Sequence, residues 1–270
     1  NRRLGEMLAE QGVPCLNGVA EMLRAVAKVQ AWSNAAGSVR PQAQDERLEW
    51  RSAFTDPAQP SERETLDFLA RFQIPVIRSE TAGSVADVVA AAERIGYPIA
   101  LKTAAPGIAH KNDRDGVRLD LRDANALRAA YRDIGERLGP RVIVQAMAEK
   151  GVELAMGCVQ DPDFGPLVMV SAGGTLIELL RDRQFALAPF DETEARAMIE
   201  GLAIAGVLRG VRGAPPQDIA AAARVLARFS GICAGLGEDI SEIDVNPLVV
   251  TARGAVAVDA LLISKSAKAG

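Results

Sequence analysis

From Ser61 onward the chain marks its own helix starts and strand ends at regular intervals, and that punctuation limits the folds open to it. Ser61-Glu62-Arg63-Glu64 is a capping box, in which the serine hydroxyl and the glutamate carboxylate satisfy free N–H groups at a helix start. The helix it opens carries Leu66, Leu69, Ala70 and Phe72 and stops before Ile74-Pro75. Val76-Ile77-Arg78 reads as a short strand. Ser84-Val85-Ala86-Asp87 caps a second helix ending at Gly96, and Tyr97–Lys102 is again a strand. In Gly116–Leu121, Val117, Leu119 and Leu121 alternate with polar residues, the pattern of a half-buried antiparallel strand. A helix over 123–138 ends at Gly139-Pro140, and strands follow over 141–147, 152–159 and 166–171. Gly173-Gly174 makes a turn, 192–205 and 217–236 are helices, and strands 247–251 and 255–260 pair through Arg253-Gly254. Helix–strand units followed by an antiparallel group with a helical insert make an α+β chain without internal repeats.

The sequence upstream differs. Residues 4–12 read as a short helix, 13–16 as a strand, and 18–33 as an amphipathic helix with Val19, Met22, Leu23, Val26 and Val29 on one face. Residues 34–60 are rich in Ala, Gly, Ser, Pro and Gln and weakly periodic, the composition of a linker. A domain boundary is expected there, leaving residues 61–265 as the main domain.

The overall balance excludes several function classes. Apolar residues make up 49% of the 270 and aromatics 4%, so the core is ample but packs through small side chains. A net charge of −4 argues against nucleic acid or an anionic membrane as a bulk electrostatic partner. No apolar run approaches the roughly 18 residues of a membrane span, and no signal peptide is expected. Cys15, Cys158 and Cys233 are few and far apart, suggesting no disulfide framework, no zinc site and a reducing cytoplasm. With one histidine, a transition-metal enzyme is disfavoured, while a hard cation on oxygen ligands stays open. The start at Asn1, directly in helix-like sequence, reads as a piece of something longer.

The residues that bear on chemistry are scattered. Lys102 ends an apolar strand, where its ammonium can meet a ligand phosphate or simply mark the strand end. The loop 103–116 holds Gly107, Gly116, Lys111 and Arg114, and its N–H groups can cradle an anion. It fits neither of the common Gly-rich phosphate motifs, and an ordinary hairpin loop has the same composition. His110, the lone histidine, is readable as a phosphate-accepting nucleophile, a general acid/base or a solvated loop residue. Asn246 and Asp259 would point at one place if the last two strands form a hairpin, a pair of oxygen donors suited to Mg²⁺; alternatively Asn246 caps a turn before Pro247. Gln145 and Met147 end one strand and Glu153 lies in the next, so the hinge between them can take a flat base, or Met147 is core filler.

In order, these features resemble the ATP-grasp fold, with two α+β subdomains gripping a nucleotide. More narrowly, the chain is similar to the ATP-grasp part of the NDP-forming (ADP-forming) acyl-CoA synthetases, relatives of the succinyl-CoA synthetase β subunit. The matching stretches are Lys102–Lys111, Gly151–Gly157, Asp161–Pro166, Gly173–Glu178 and Glu242–Pro247, and the resemblance covers residues 61–265. It implies a role in a carboxylate–CoA ligase, an acid–thiol ligase making acyl-CoA, ADP and phosphate through a phosphohistidine relay. Lys102 and Lys111 would then contact nucleotide phosphates, Gln145 and Met147 the adenine and Glu153 the nucleotide. Asn246 and Asp259 would bind Mg²⁺, and His110 would receive the phosphate. Residues 1–33 resemble the end of a preceding α/β CoA-ligase domain. CoA would be bound mainly by such domains, in the same chain or a partner, within an oligomer. Two positions depart from the family pattern. Asp115-Gly116 stands where a Gly-Gly pair is usual, and Gln145 where related subunits carry Glu. A regulatory nucleotide-sensing module, or an ATP-grasp carboxylate–amine ligase without phosphohistidine, are the alternative readings.

Overall fold

A computed structural model describes residues 50–57, 60–105, 108, 114–174, 182–211, 213–237 and 240–265, together with Gly18, Val19, Met22, Leu23, Val26, Ala27 and Gln30. The chain divides into two compact units, Asn1–Arg40 and Pro41–Gly270. In the first, the described positions from Val19 to Gln30 are helical, as expected, with Met22 N–H donating to Gly18 O at 3.1 Å. The apolar stripe Val19, Met22, Leu23 and Val26 is exposed. The expected helix at 4–12 and strand at 13–16 lie outside the described residues.

The second unit holds two antiparallel sheets. Helix α1 (Glu62–Arg71) starts at the expected capping box, with Ser61 Oγ accepting from Glu64 N–H and the Glu64 carboxylate accepting from Ser61 N–H. Strand β1 (Ser79–Ala82), helix α2 (Val85–Ile95) and strand β2 (Ile99–Thr103) follow, then β3 (Val117–Leu121), α3 (Ala124–Leu138) and β4 (Val142–Ala146). These four strands form the smaller sheet in the order β1-β4-β2-β3. Ser84 caps α2 and Asp123 caps α3, while Gly96 and Gly139, at φ 92° and 96°, end them in a conformation that side chains resist. Both helices pack on one face, where Val88, Ala92, Leu127 and Ile134 bury against Ile99, Leu101, Val142 and Val144. Alternation along the strands therefore turns Ala100, Lys102, Ile143 and Gln145 to the other face.

The larger sheet is built from β5 (Val152–Asp161), β6 (Gly165–Ala172), β7 (Arg183–Leu187), β8 (Ile240–Thr251), β9 (Gly254–Ala257) and β10 (Ala260–Ser264). Its order is β10-β8-β5-β6-β7, with β9 also paired to β8. Helices α4 (Glu192–Glu200), α5 (Ala205–Leu208) and α6 (Ile219–Leu236) complete the unit. Phe229, Leu226 and Ile199 bury against Leu154, Met156, Val168, Val170, Ile243 and Val245. Each such side chain contributes about 1.5–3 kcal/mol on leaving water.

Several expectations are corrected. Val76–Arg78 is not a strand of a sheet. Val76 makes a single bridge to Ala257, Ile77 N–H donates to Ala257 O at 2.9 Å, and Arg78 O accepts from Ala146 N–H at 2.9 Å. The segment thus ties one sheet to the other, and the true strand begins at the more polar Ser79. The expected alternation in β3 is broken by a register shift and by Asp120 at φ 56°, which leaves Leu119 exposed on an edge strand. Helix 192–205 stops at Glu200. The strand expected over 255–260 is two strands separated at Val258-Asp259. At the end of the presumed linker 34–60, Trp50 and Phe54 are buried, Phe54 packing at a tilt against Phe68 with 5.5 Å between ring centroids, so the packed domain reaches upstream of Ser61. Finally, α6 is 18 residues long and apolar enough in composition to cross a membrane. Two-thirds of it is buried in this core, which explains its composition without a bilayer.

Candidate active site between the two sheets

The break between β9 and β10 decides the geometry of the site. It leaves the carbonyl of Val258 and the carboxylate of Asp259 outside any regular ladder, facing the side of the smaller sheet opposite α2 and α3. Lys102 arrives there from β2. Its ammonium donates to Glu62 Oε1 at 2.9 Å, Asp259 Oδ2 at 3.1 Å and Val258 O at 3.4 Å. The side chains of Lys102 and Glu62 are 7% and 4% exposed, that of Asp259 35%, so the cluster is closed behind and open at Asp259. A buried ammonium is tolerated only with such partners, because its desolvation is otherwise uncompensated.

Gln145, buried on β4 on the same face as Lys102, donates through Nε2 to Val258 O at 2.9 Å. The amide expected beside a bound base thus braces the two sheets. Met147 sits, half-buried, in the connection from β4 to β5 that carries the chain from one sheet to the other. Asn246 lies where β8 leaves β10 for β9. Its N–H donates to Asp259 O at 3.2 Å and Val258 N–H donates to Pro247 O at 3.0 Å, making Asn246 and Asp259 cross-strand neighbours. Glu153 is exposed at the start of β5. Its carboxylate lies so close to Gly174, which has φ 60°, that any Cβ at 174 would overlap it.

Sequence reasoning missed Glu62 and Asp244. Ile243 and Val245 point into the core, so Glu242, Asp244 and Asn246 line the opposite, open face of β8. The period-two spacing Glu-x-Asp-x-Asn was the signal available for them. Asp244 faces Gly157 across β5, where a Cβ would stand 3.0 Å from Asp244 Oδ1. Burial, and then the charges of Glu242 and Asp259, push the Asp244 carboxyl up to about 6. Glu62 gave no signal, because a glutamate in the first helical turn is explained by the helix dipole alone.

His110 and Lys111 lie outside the described residues, but both ends of their loop are fixed. Thr103 N–H donates to Gly116 O and Ala104 N–H to Arg141 O, each at 2.8 Å. Asp115, at φ 50°, takes the left-handed conformation that a glycine would adopt freely. Arg118 grips its carboxylate at 2.8 and 2.9 Å, and Arg137 reaches the carbonyls of Arg114 and Asp115. The Arg118 guanidinium holds the Asp115 carboxyl below its ordinary range. Asp115 in place of glycine is therefore accommodated locally.

Among the described residues no group of three or more His, Cys, Asp or Glu side chains closes into a metal cage. An amide and a carboxylate at the open edge, Asn246 and Asp259, suit a hard cation that keeps most of its shell for water and phosphate, as Mg²⁺ does. A lysine ammonium, an amide and a carboxylate on neighbouring strands, and a hinge between two antiparallel sheets thus meet at one open edge.

A domain family described as the ATP-grasp domain matches residues 56–263. The chain belongs to the ATP-grasp family. This ATP-grasp chain is 33% identical over 210 residues to the β subunit of ADP-forming acetate–CoA ligase I of Pyrococcus furiosus, covering 75% of this chain and 90% of that subunit. It is 34% identical over 201 residues to the ADP-forming 4-hydroxybutyrate–CoA ligase of Nitrosopumilus maritimus, covering 72% of this chain but only 29% of that longer relative. Among solved structures, the Ca. Korarchaeum cryptofilum dinucleotide forming acetyl-coenzyme A synthetase 1 matches with a TM-score of 0.70 and 36% identity, over 77% of this chain and 93% of that one. That protein was solved with coenzyme A and Mg-AMPPCP, its phosphohistidine segment pointing towards the nucleotide binding site. The expected α+β ATP-grasp fold is borne out.

Proposed function

We propose that this chain is the nucleotide-binding, phosphoryl-transferring part of an acid–thiol ligase that converts acid, CoA and ATP into acyl-CoA, ADP and phosphate. The observation that carries this is the meeting of Lys102 and Asp259, 157 residues apart, at 3.1 Å on the open edge of the cleft. Lys102 and Lys111 offset the charge of the β- and γ-phosphates, and Gln145, Met147 and Glu153 border the base and ribose. Asn246 and Asp259 would hold Mg²⁺, which when bound would neutralise phosphate charge. The neutral imidazole of His110 attacks the γ-phosphorus. An N–P bond forms as the P–O bond to ADP breaks, and no anionic nucleophile is driven against the phosphate. A second histidine, carried by the CoA-ligase domains, then passes the phosphate to the acid's carboxylate, and the CoA thiol attacks the acyl phosphate, forming the thioester and releasing phosphate.

Those later steps belong to CoA-ligase domains in the same or a partner chain, within an oligomer. Residues 1–33 form the end of such a domain, and the exposed stripe Val19, Met22, Leu23 and Val26 supports this reading. Cys158 and Cys233, both free and buried in the core, fit a reducing cytoplasm.

The test is incubation of the chain with γ-labelled ATP and Mg²⁺. Acid-labile, base-stable label is expected on His110 and is lost in His110→Ala, while ADP binding persists. ATP binding without any label would replace this reading by a nucleotide-sensing module. Acyl-CoA formation by the purified chain alone would refute the division of labour, since His110 is its only histidine.

A further inference from the structure

The ammonium of Lys102 is shared by two carboxylates that differ in access. Glu62 holds it from the closed side at 2.9 Å, and Asp259 from the open side at 3.1 Å. Glu62 projects from the first turn of α1, a helix fixed by its capping box and by burial of Leu66 and Leu69. Asp259 sits in the short break between β9 and β10. Both carboxylates thus hold one ammonium, and Asp259 does so from the side that a cation can reach. A metal ion drawing Asp259 away leaves Lys102 still paired with Glu62. Were Glu62 neutral, Asp259 would be the sole carboxylate of this cluster facing a buried ammonium, and the metal would have to strip that counter-charge away.

We propose that Glu62 is a positioning residue that releases Asp259 for the metal by keeping Lys102 paired from behind. The inference rests on the nucleotide-binding reading above. It predicts two effects of opposite sign for Glu62→Gln. The Mg²⁺ needed for half-maximal ADP binding rises, by about tenfold, because Asp259 is now held by Lys102. ADP binding without metal is unchanged or tighter, because Lys102 has lost a competitor for phosphate. General damage to the fold would weaken both.

The experiment is titration calorimetry of ADP into the full 270-residue chain at a series of Mg²⁺ concentrations and in EDTA. The variants are Glu62→Gln, Glu62→Asp, Lys102→Met and the double variant Glu62→Gln/Lys102→Met, each with a circular dichroism melt. Glu62→Asp keeps the charge but withdraws it by one methylene, and is expected to raise the Mg²⁺ requirement by a smaller factor than Glu62→Gln. In the Lys102→Met background, Glu62→Gln is expected to leave the residual Mn²⁺ affinity, read by electron paramagnetic resonance, unchanged, since no ammonium competes for Asp259. Loss of ADP binding in Lys102→Met with an unaltered Mg²⁺ requirement in Glu62→Gln overturns this inference and leaves the nucleotide reading standing. Wild-type ADP binding by Lys102→Met overturns the nucleotide reading itself. If Glu62→Gln does not fold, Glu62→Asp carries the test: its withdrawn carboxylate should raise the Mg²⁺ requirement by a smaller factor, and no rise overturns the proposal.

Discussion

Replacing Asp244 by Asn should make the metal-free protein more stable above neutrality and change the shape of its stability–pH curve. In the folded chain burial, with help from Glu242 and Asp259, raises this carboxyl from its ordinary 3.8 to about 6. A carboxyl raised on folding contributes stability that is fully present below pH 3.8 and is lost as pH climbs through about 6, because the unfolded chain gives up its proton first. Roughly two decades of proton affinity, at about 1.4 kcal/mol each, amount to about 3 kcal/mol as an upper figure. Asn keeps the size and a hydrogen-bonding head but cannot ionise, so it escapes the loss. Urea unfolding in EDTA at pH 4 and pH 8 measures the effect. The variant's stability relative to wild type should rise by up to about 3 kcal/mol between those pH values. An offset that is the same at both would show that Asp244 ionises in the folded chain as freely as in the unfolded one, and the crowded-acid account of this face would fail.

Truncating Phe229 to Ala empties the centre of the core under the larger sheet and should lower stability in urea by about 3–5 kcal/mol. Ser61→Ala removes one arm of the capping box and should cost about 1 kcal/mol. At Glu64, burial opposes ionisation, but hydrogen bonds from Ser61 and Thr55 outweigh it and hold the carboxyl at about 2. Its contribution is therefore present above its ordinary 4.5 and lost as pH falls toward 2, so an acid titration of wild type against Ser61→Ala should converge at the low end. Gly151→Ala would drive a Cβ into the Val250 carbonyl where β5 meets β8. A drop of about 1–3 kcal/mol in thermal or urea stability is expected, and an unchanged midpoint would show that this entry to β5 shifts freely.

Much of the frame was legible because its signals are local. A serine and a glutamate three residues apart are enough to start α1, and Gly96 and Gly139 stop their helices by backbone conformation. The missed elements lack such signals. β1 reads Ser-Glu-Thr-Ala, and its place in the sheet comes from pairing with β4, more than sixty residues later. Lys102, Asn246 and Asp259 stood out as candidates because the sequence sets each at an expected strand end, and the fold gathers them although Lys102 and Asn246 lie within their strands and only Asp259 in a break. Glu62 did not stand out, because its partner is forty residues away and only the folded chain brings them together. Asp244 was passed over because Gly157, the residue that makes room for it, lies on another strand.

The carbonyl of Val258 receives Gln145 and Lys102 from the opposite sheet. It belongs to the main chain, so a change of side chain at position 258 does not remove the acceptor. Mutational scanning should therefore find position 258 permissive toward residues of similar shape and positions 102 and 145 intolerant. The clasp between the two halves is written in the backbone on one side and in side chains on the other, and only the second half is exposed to mutational drift.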